Sequence, residues 1–335
     1  MTVINGIEID FPRHPSYVRN PVREALDNND VIEEKLHVIA VISNPCNFAK
    51  RYLLLNEFRE RMEREENAIL YIVELAYGHQ PFIVTSAGHP RHLQLRADTP
   101  LWHKENMINL GVRRLLPDNF RAFAWIDADL EFDSNTWCED TLRLLNGTFD
   151  IVQLFSHAVD MDQHDATMRV FNSAGYMHTR QRPFAGSGAD QWHPGFAWAM
   201  TRKAFDRVGG LYERAILGSG DNLMMLSLLD QPSKGLHILS SDNYKQDVVD
   251  YAREMKRLRF GYVPGVIRHY FHGSKKNRKY QERWAILVEN HYAPSLHVQA
   301  NQDGVLVPTD EFPLALKDDI LSYFQERNED EFLTL

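Results

Sequence analysis

The sequence predicts an α/β protein: a doubly wound, mixed sheet flanked by helices. Three observations carry that expectation. The apolar runs "LHVIAVISNP", "AILYIVEL" and "AFAWIDADLEF" read as strands, and helix-periodic stretches separate them. The first run is apolar on both faces, as in a sheet covered by helices. The chain also has 335 residues, 44% hydrophobic and 25% charged, ample for a large core.

Residues 1–34 are polar, with Pro12, Pro15 and Pro21, and read as an N-terminal arm. After the first strand, "FAKRYLLLNEFRERMEREEN" has helical spacing and strong helix formers. "KENMINLGVRRLLP" follows the second strand with the same pattern and stops at proline. Beyond the third strand, Ser134 is a candidate cap for the helix "NTWCEDTLRLLNG", which Gly147 would close. "DIVQLFSHAV" is strand-like, and the Gly-rich "FAGSGADQ" precedes another strand candidate, "WHPGFAWAM". The helix "TRKAFDRV" should end at Gly209-Gly210. The last third holds a helix, "NYKQDVVDYAREMKRL", a strand-like "GYVPGVIRHYF", and an acidic C-terminal helix. The organisation expected is an arm (1–34), a main domain (35–300) in two parts, 35–155 and 156–300, and an acidic helical tail (301–335).

Composition excludes several classes. No apolar run approaches the ~18 residues of a membrane helix, and the start lacks the basic-then-apolar pattern of a secretory signal, so a cytoplasmic setting is expected. Cys46 and Cys138 are too few for a disulfide scaffold and lack metal-ligand spacing. A net charge of −9 argues against a generic nucleic-acid binder. The charge is uneven: residues 252–284 hold ten Lys/Arg and two acids, a local +8 that leaves −17 elsewhere. A basic segment in an acidic chain points to a local anionic ligand.

Three constellations carry chemistry. In "FAWIDADLEFD" a buried strand ends in acids at every second position. Asp127 and Asp129 lie two apart, on one face of a regular strand, and can meet one cation; hard oxygen ligands suit Mg²⁺ or Mn²⁺. Alone, the same pattern is an ordinary acidic turn. In "WHPGFAWAMTRKAFDRVGGLYERAILGSGDNLM", Gly195 allows close approach of a ligand, and "GSGD" sets Asp221 at a helix start. There it is either a helix-terminus acid or an exposed general base. In "VIRHYFHGSKKNRKYQERW", His269 and His272 are three apart and are followed by five Lys/Arg. Imidazole is a competent Mn²⁺ ligand, and the basic run suits a diphosphate; a solvated basic loop is the plain alternative.

The ordered set resembles a GT-A-fold glycosyltransferase, and more narrowly the β-1,4-galactosyltransferase group. "KENMINLGVRRLL" before "FAWIDADLEF" is similar to that group's helix before its metal strand. "GFAWAMTRKAFDRVGGLYERAILGSGDN" is similar to the region leading to its catalytic acid, and "VIRHYFHGSKKNRKYQERW" to its metal histidine and mobile lid. The resemblance spans residues 44–284, and the overall pattern also looks like glycosyltransferases of large DNA viruses and bacteriophages. It implies metal ligation by Asp129 and His269, with His272 a rival, and Asp127 supporting the metal or the donor ribose. It implies Asp221 as catalytic base, with 35–155 the nucleotide-sugar-binding half of a catalytic domain and 156–300 its acceptor half with a lid; Glu213 and Asp190 are the nearest alternative acids in the sequence. It sets Asn44, Arg51, Glu74, Lys104, Asn106, Asp127 and Gly195 around the nucleotide sugar. One departure is that the group carries an acid before the catalytic aspartate, where this chain has Gly220.

The expected function is therefore metal-dependent (Mn²⁺ or Mg²⁺), inverting transfer from a nucleotide-diphosphate sugar, UDP-linked, to a hydroxyl of a glycan or glycolipid. Glycosylation of a hydroxylated DNA base is the alternative, and a non-catalytic glycan-binding module a further one. A nucleotidyltransferase would need a Gly-rich phosphate loop after the first strand, and "VISNPCNFAKR" has none.

Overall fold

The computed structural model describes residues 2–4, 7–9, 21–188, 190–280 and 282–331. The arm expected over residues 1–34 thus falls partly outside the described residues, as do Gln281 of the basic segment and the last four residues of the tail.

The architecture is the mixed sheet flanked by helices that the sequence predicts. Its main sheet runs Phe260–Tyr262, Ile151–Gln153, Ala197–Thr201, Ala122–Ile126, Leu36–Ser43, Ala68–Tyr77, His92–Ala97. Ala197–Thr201 runs antiparallel to both its neighbours, while the other pairings are parallel. That one reversed strand makes the sheet mixed. His92–Ala97 was not evident in the sequence: "HLQLRA" is short and polar on one face, as an edge strand can be.

Alternating side chains of the central strands feed two cores. Val38, Ala40, Ala122 and Ala124 face Leu55, Phe58 and Met62 of helix Ala49–Glu63, and Trp137 and Leu142 of helix Trp137–Leu145. Ile39, Phe123 and Trp125 face Met107, Ile108, Leu110 and Val112 of helix Lys104–Leu115. This period-2 division explains why the strands read as continuous apolar runs. Thr201 caps helix Arg202–Val208 by accepting from the Ala204 N–H, and Gly209 ends it in the left-handed region. Helix Trp137–Leu145 starts two residues later than expected: its N-cap is Thr136, without a side-chain capping bond, and Ser134 Oγ accepts from Thr136 N at 3.3 Å.

Two sequence runs read as single strands are each shared between sheets. "DIVQLFSHAV" breaks into Ile151–Gln153 and His157–Met161, and "GYVPGVIRHYF" into Phe260–Tyr262 and Val266–His269. The second members join a smaller sheet, ordered Trp192–His193, Thr167–Ser173, His157–Met161, Val266–His269, Leu130–Phe132. The fully buried Gln153 locks the crossing. Its amide donates to the carbonyls of His193 and Gly195 and accepts from Gly175 N.

At Gly175 helix Ala174–Thr179 rests on strand Phe260–Tyr262 with no room for a side chain; a Cβ would overlap the Gly261 carbonyl. Gly175→Val should cost about 1–3 kcal/mol, as overpacking does, read as a lower denaturant midpoint. An unchanged midpoint would contradict this packing.

The described residues after 300 pack onto the rest of the fold. Val298–Ala300 pairs with Leu306–Pro308, across the division expected at residue 300. Helix Leu314–Glu326 buries Leu316, Ile320, Tyr323 and Phe324 in a third core with Tyr212, Tyr244 and Tyr292. Asp330 then caps helix Ala49–Glu63, accepting from Ala49 N and Lys50 N at 2.9 Å each.

Candidate active site

A cavity of about 950 Å³ opens beyond the carboxyl ends of the central parallel strands, lined by Ser43, Asp127 and Asp129, among others. Ligands of open α/β sheets bind there.

Asp127 and Asp129 follow Ile126, where the backbone leaves the strand. The turn gives them different partners, although both line the cavity. Asp127 makes an ion pair with Lys104 at the start of helix Lys104–Leu115. Asp129 Oδ2 lies 3.2 Å from His272 Nδ1 and 3.6 Å from His269 Nε2. The small sheet builds this group. His269 stands opposite Leu130 on one side and Asp160 on the other. Its Nδ1 is 2.7 Å from Asp160 Oδ1, which leaves Nε2 directed toward Asp129. A carboxylate on the far nitrogen is the usual means of orienting a ligating histidine.

Asp129, His269 and His272 each offer a ligand atom, all within 4.8 Å of one another. Asp129 Oδ1 is buried without a hydrogen-bond partner among the described residues. A buried carboxylate oxygen left unsatisfied is costly unless a cation takes it. One carboxylate and two imidazoles therefore fit a divalent ion, with Mn²⁺ better matched than Mg²⁺ to the nitrogen donors.

The electrostatics agree. Burial alone would raise the Asp129 carboxyl, but the His272 and His269 rings and Arg278 outweigh it and hold it well below the usual carboxylate range. Burial, then Arg278, lowers His272 to about 3, so its ring is neutral at neutral pH, as a ligand must be. Burial would lower His269 as well, but Asp129 and Asp160 outweigh it and raise it. Burial raises Asp127 even beside Lys104.

The second wall carries Asp221. Helix Gly220–Leu228 begins after Ser219, a non-glycine residue with φ +77, and Asp221 Oδ1 accepts from Asn222 N at 2.8 Å. A Cβ on Gly195 would stand 2.7 Å from Asp221 Oδ2, so only glycine leaves that carboxylate room. The next residue, Phe196, has φ +81, and its carbonyl accepts from Asp127 N at 3.0 Å. Two strained positions thus join the acid-bearing turn to the Asp221 loop. Such strain persists where surrounding structure imposes it, often at functional sites.

Of the expected site residues, the cavity lining brings together Arg51, Lys104, Asp127, Asp129, Gly195, Asp221, His269 and His272. Asn44, Glu74 and Asn106 are not in that lining. Asn44 closes its own loop with Phe48. Glu74 accepts from the N–H groups of Ile83, Val84 and Thr85. Asn106 binds Glu213, Gly304 and Leu306. The same contact, with another from Asn109, occupies Glu213. Asp190 is exposed and outside the lining. Arg51 faces the cavity, but its guanidinium is taken by Glu329, with Nη2 to Oε1 at 2.8 Å, and by the Ser43 carbonyl.

Sequence reasoning missed Asp160, Glu329 and Arg327. Asp160 carried a weak signal, an acid inside the apolar run "HAVDM". The two tail residues carried none. The described part of the basic segment lies over the site: Arg278 reaches His272, and Arg283 reaches Ser219. The C-terminal region holds it, through Tyr323 to the Arg278 carbonyl, Lys279 to Glu326, and Asn277 to Glu331.

No protein-family model matches the chain, and no curated protein matches it in sequence. Solved structures resemble it in shape. The catalytic domain of Drosophila β1,4-galactosyltransferase 7, in complex with xylobiose, aligns over 83% of this chain and 93% of its own, with 9% identity and a TM-score of 0.37. A mannosyltransferase from Pyrobaculum calidifontis, in complex with GDP-Man and Mn²⁺, aligns over 86% of this chain and 68% of its own, with 14% identity and a TM-score of 0.41. A putative glucose-1-phosphate thymidylyltransferase from Bacillus anthracis aligns over 77% and 97%, with 9% identity and a TM-score of 0.38. With identities this low, what the site does rests on its own residues. No helix among the described residues is long and apolar enough to cross a membrane.

Proposed function

We propose that this chain is a metal-dependent, inverting glycosyltransferase of the GT-A type, using a UDP-linked sugar and a hydroxyl acceptor on a glycan or glycolipid. One observation carries the reading. The Asp129–His269–His272 group, whose buried carboxylate oxygen has no hydrogen-bond partner among the described residues, lines the same cavity as Asp221.

Asp129, His269 and His272 would hold the ion, and Asp160 fixes the ring of His269. Bound there, a divalent ion supplies Lewis-acid stabilisation of a leaving diphosphate. Lys104 keeps Asp127 oriented at the strand end. Arg278 and Arg283 line the cavity and add positive charge for the diphosphate. Asp221 removes the acceptor hydroxyl proton as that oxygen bonds to the anomeric carbon. The bond from that carbon to the diphosphate oxygen breaks, its electron pair leaving with the diphosphate. Single displacement needs one base and no enzyme nucleophile. The cavity's size suits a sugar nucleotide.

The test is a screen of nucleotide sugars for hydrolysis with and without Mn²⁺. Metal-dependent release of sugar is expected. Its absence for every donor, with the protein folded, favours a non-catalytic glycan-binding module.

The basic segment is proposed to be a lid. Arg278 and Arg283 of this segment line the cavity, where a diphosphate would draw them, and Gly273, with φ +91, supplies a hinge. UDP with Mn²⁺ should raise hydrogen-exchange protection across residues 269–284. Equal protection in both states would rule out the lid.

A further inference from the structure

We propose that Glu105 is a positioning residue for Asp221, acting from behind the cavity through a water-sized space that the two carboxyls share. The inference rests on the reading of Asp221 as the base. Glu105 lies in the first turn of helix Lys104–Leu115 and is 6% exposed. Its Oε2 is buried and has no hydrogen-bond partner among the described residues. The carboxyl fills the place that Gly220 leaves: a Cβ on Gly220 would overlap its Cδ and Oε1. Thus the residue beside the base is glycine because an acid from another helix occupies its side-chain space.

A small internal cavity of about 10 Å³ lies here, lined by Glu105, Asp221, Lys104, Gly195 and Gly220, among others. That is about the room one water needs, and the buried Glu105 Oε2, which lacks a partner among the described residues, is a group a water would satisfy. Among the described residues, Lys104, Asp221 and Asp127 act on the Glu105 carboxyl, Tyr244 and Tyr251 of helix Asp242–Met255 are coupled to it, and Tyr212 lines the same small cavity. Burial raises the carboxyl to about 8, against the pull of Lys104. At neutral pH it is therefore protonated. It can donate through a water to the Asp221 carboxylate, fixing its orientation without adding negative charge beside the diphosphate.

The experiment is carboxyl ¹³C NMR of the full chain, with the Asp221 resonance assigned by its loss in Asp221→Asn. In the wild type that resonance should show an inflection near pH 8, from ionisation of its neighbour Glu105. Glu105→Gln, an amide of the same shape, should remove the inflection yet keep the resonance position at pH 7. Glu105→Ala should move that position. In donor hydrolysis with Mn²⁺, Glu105→Gln should stay within about threefold of wild type. Glu105→Ala should lower kcat up to about 100-fold, the scale of a misplaced reacting group, with KM for the donor unchanged. An Asp221 resonance with no inflection near pH 8, or wild-type kcat in Glu105→Ala, would overturn the proposal. The wild-type and Glu105→Gln spectra decide even if Glu105→Ala does not fold. Asp221→Asn hydrolysing donor at the wild-type rate would instead remove the base reading itself.

Discussion

Asp129→Ala will yield a folded protein that no longer binds Mn²⁺ and no longer transfers sugar. The ion-pair partners of the Asp129 side chain among the described residues are the two imidazoles, and one oxygen is buried with no hydrogen-bond partner there. The hydrogen bond from Tyr270 N to the Asp129 carbonyl is backbone and survives the change. What disappears is the one carboxylate among the three clustered ligand atoms. Asp127→Ala should be severe but leaky, since its partner is Lys104 and the ligand cluster stays whole. Isothermal titration with MnCl₂ and a donor-hydrolysis assay check both. Full turnover by Asp129→Ala in EDTA would end the metal reading. His269→Ala and His272→Ala should each weaken Mn²⁺ binding, because both rings face Asp129. Wild-type affinity in either would strike that histidine from the ligand set.

Asp221→Asn will bind UDP and Mn²⁺ as the wild type does and will lose transfer by about 10²–10⁴-fold, the usual worth of a general base. Asparagine keeps the shape and the oxygen that accepts from Asn222 N, but it cannot take a proton. The alternatives lie badly for the role: Glu213 is held by Asn106 and Asn109, and Asp190 lies outside the cavity lining. A wild-type rate in Asp221→Asn would remove the proposed base. A product that retains the donor's anomeric configuration would defeat single displacement even if Asp221 proves essential.

Much of this site was legible before folding because short-range rules place it. A parallel strand that ends in acids sets them at the ligand-binding edge, so Asp127 and Asp129 could be found from one run of residues. Gly195 and Asp221 were legible as a close-approach glycine and a helix-start acid. Asn44, Glu74 and Asn106 came only by resemblance, and in this chain their hydrogen bonds are spent on the walls. Asp160 could have been suspected as an acid inside an apolar strand; Glu105 and Glu329 could not.

By itself the sequence determined the alternation of strand and helix, the acid-bearing turn, the Asp221 helix and the pair of histidines. Each of these depends on residues within about a dozen positions of one another, where periodicity and turn chemistry act. Only the tertiary structure decided which acids meet which bases. His269 finds Asp160, 109 positions away, because their strands pair in one register. Arg51 meets Glu329 across 278 positions, because the C-terminal helix packs into its own core and returns the chain to the cavity. Glu105 reaches the space beside Asp221 only because two helices from different halves of the chain close on Gly220. Such contacts follow from which apolar faces bury against each other, and no local pattern encodes that choice.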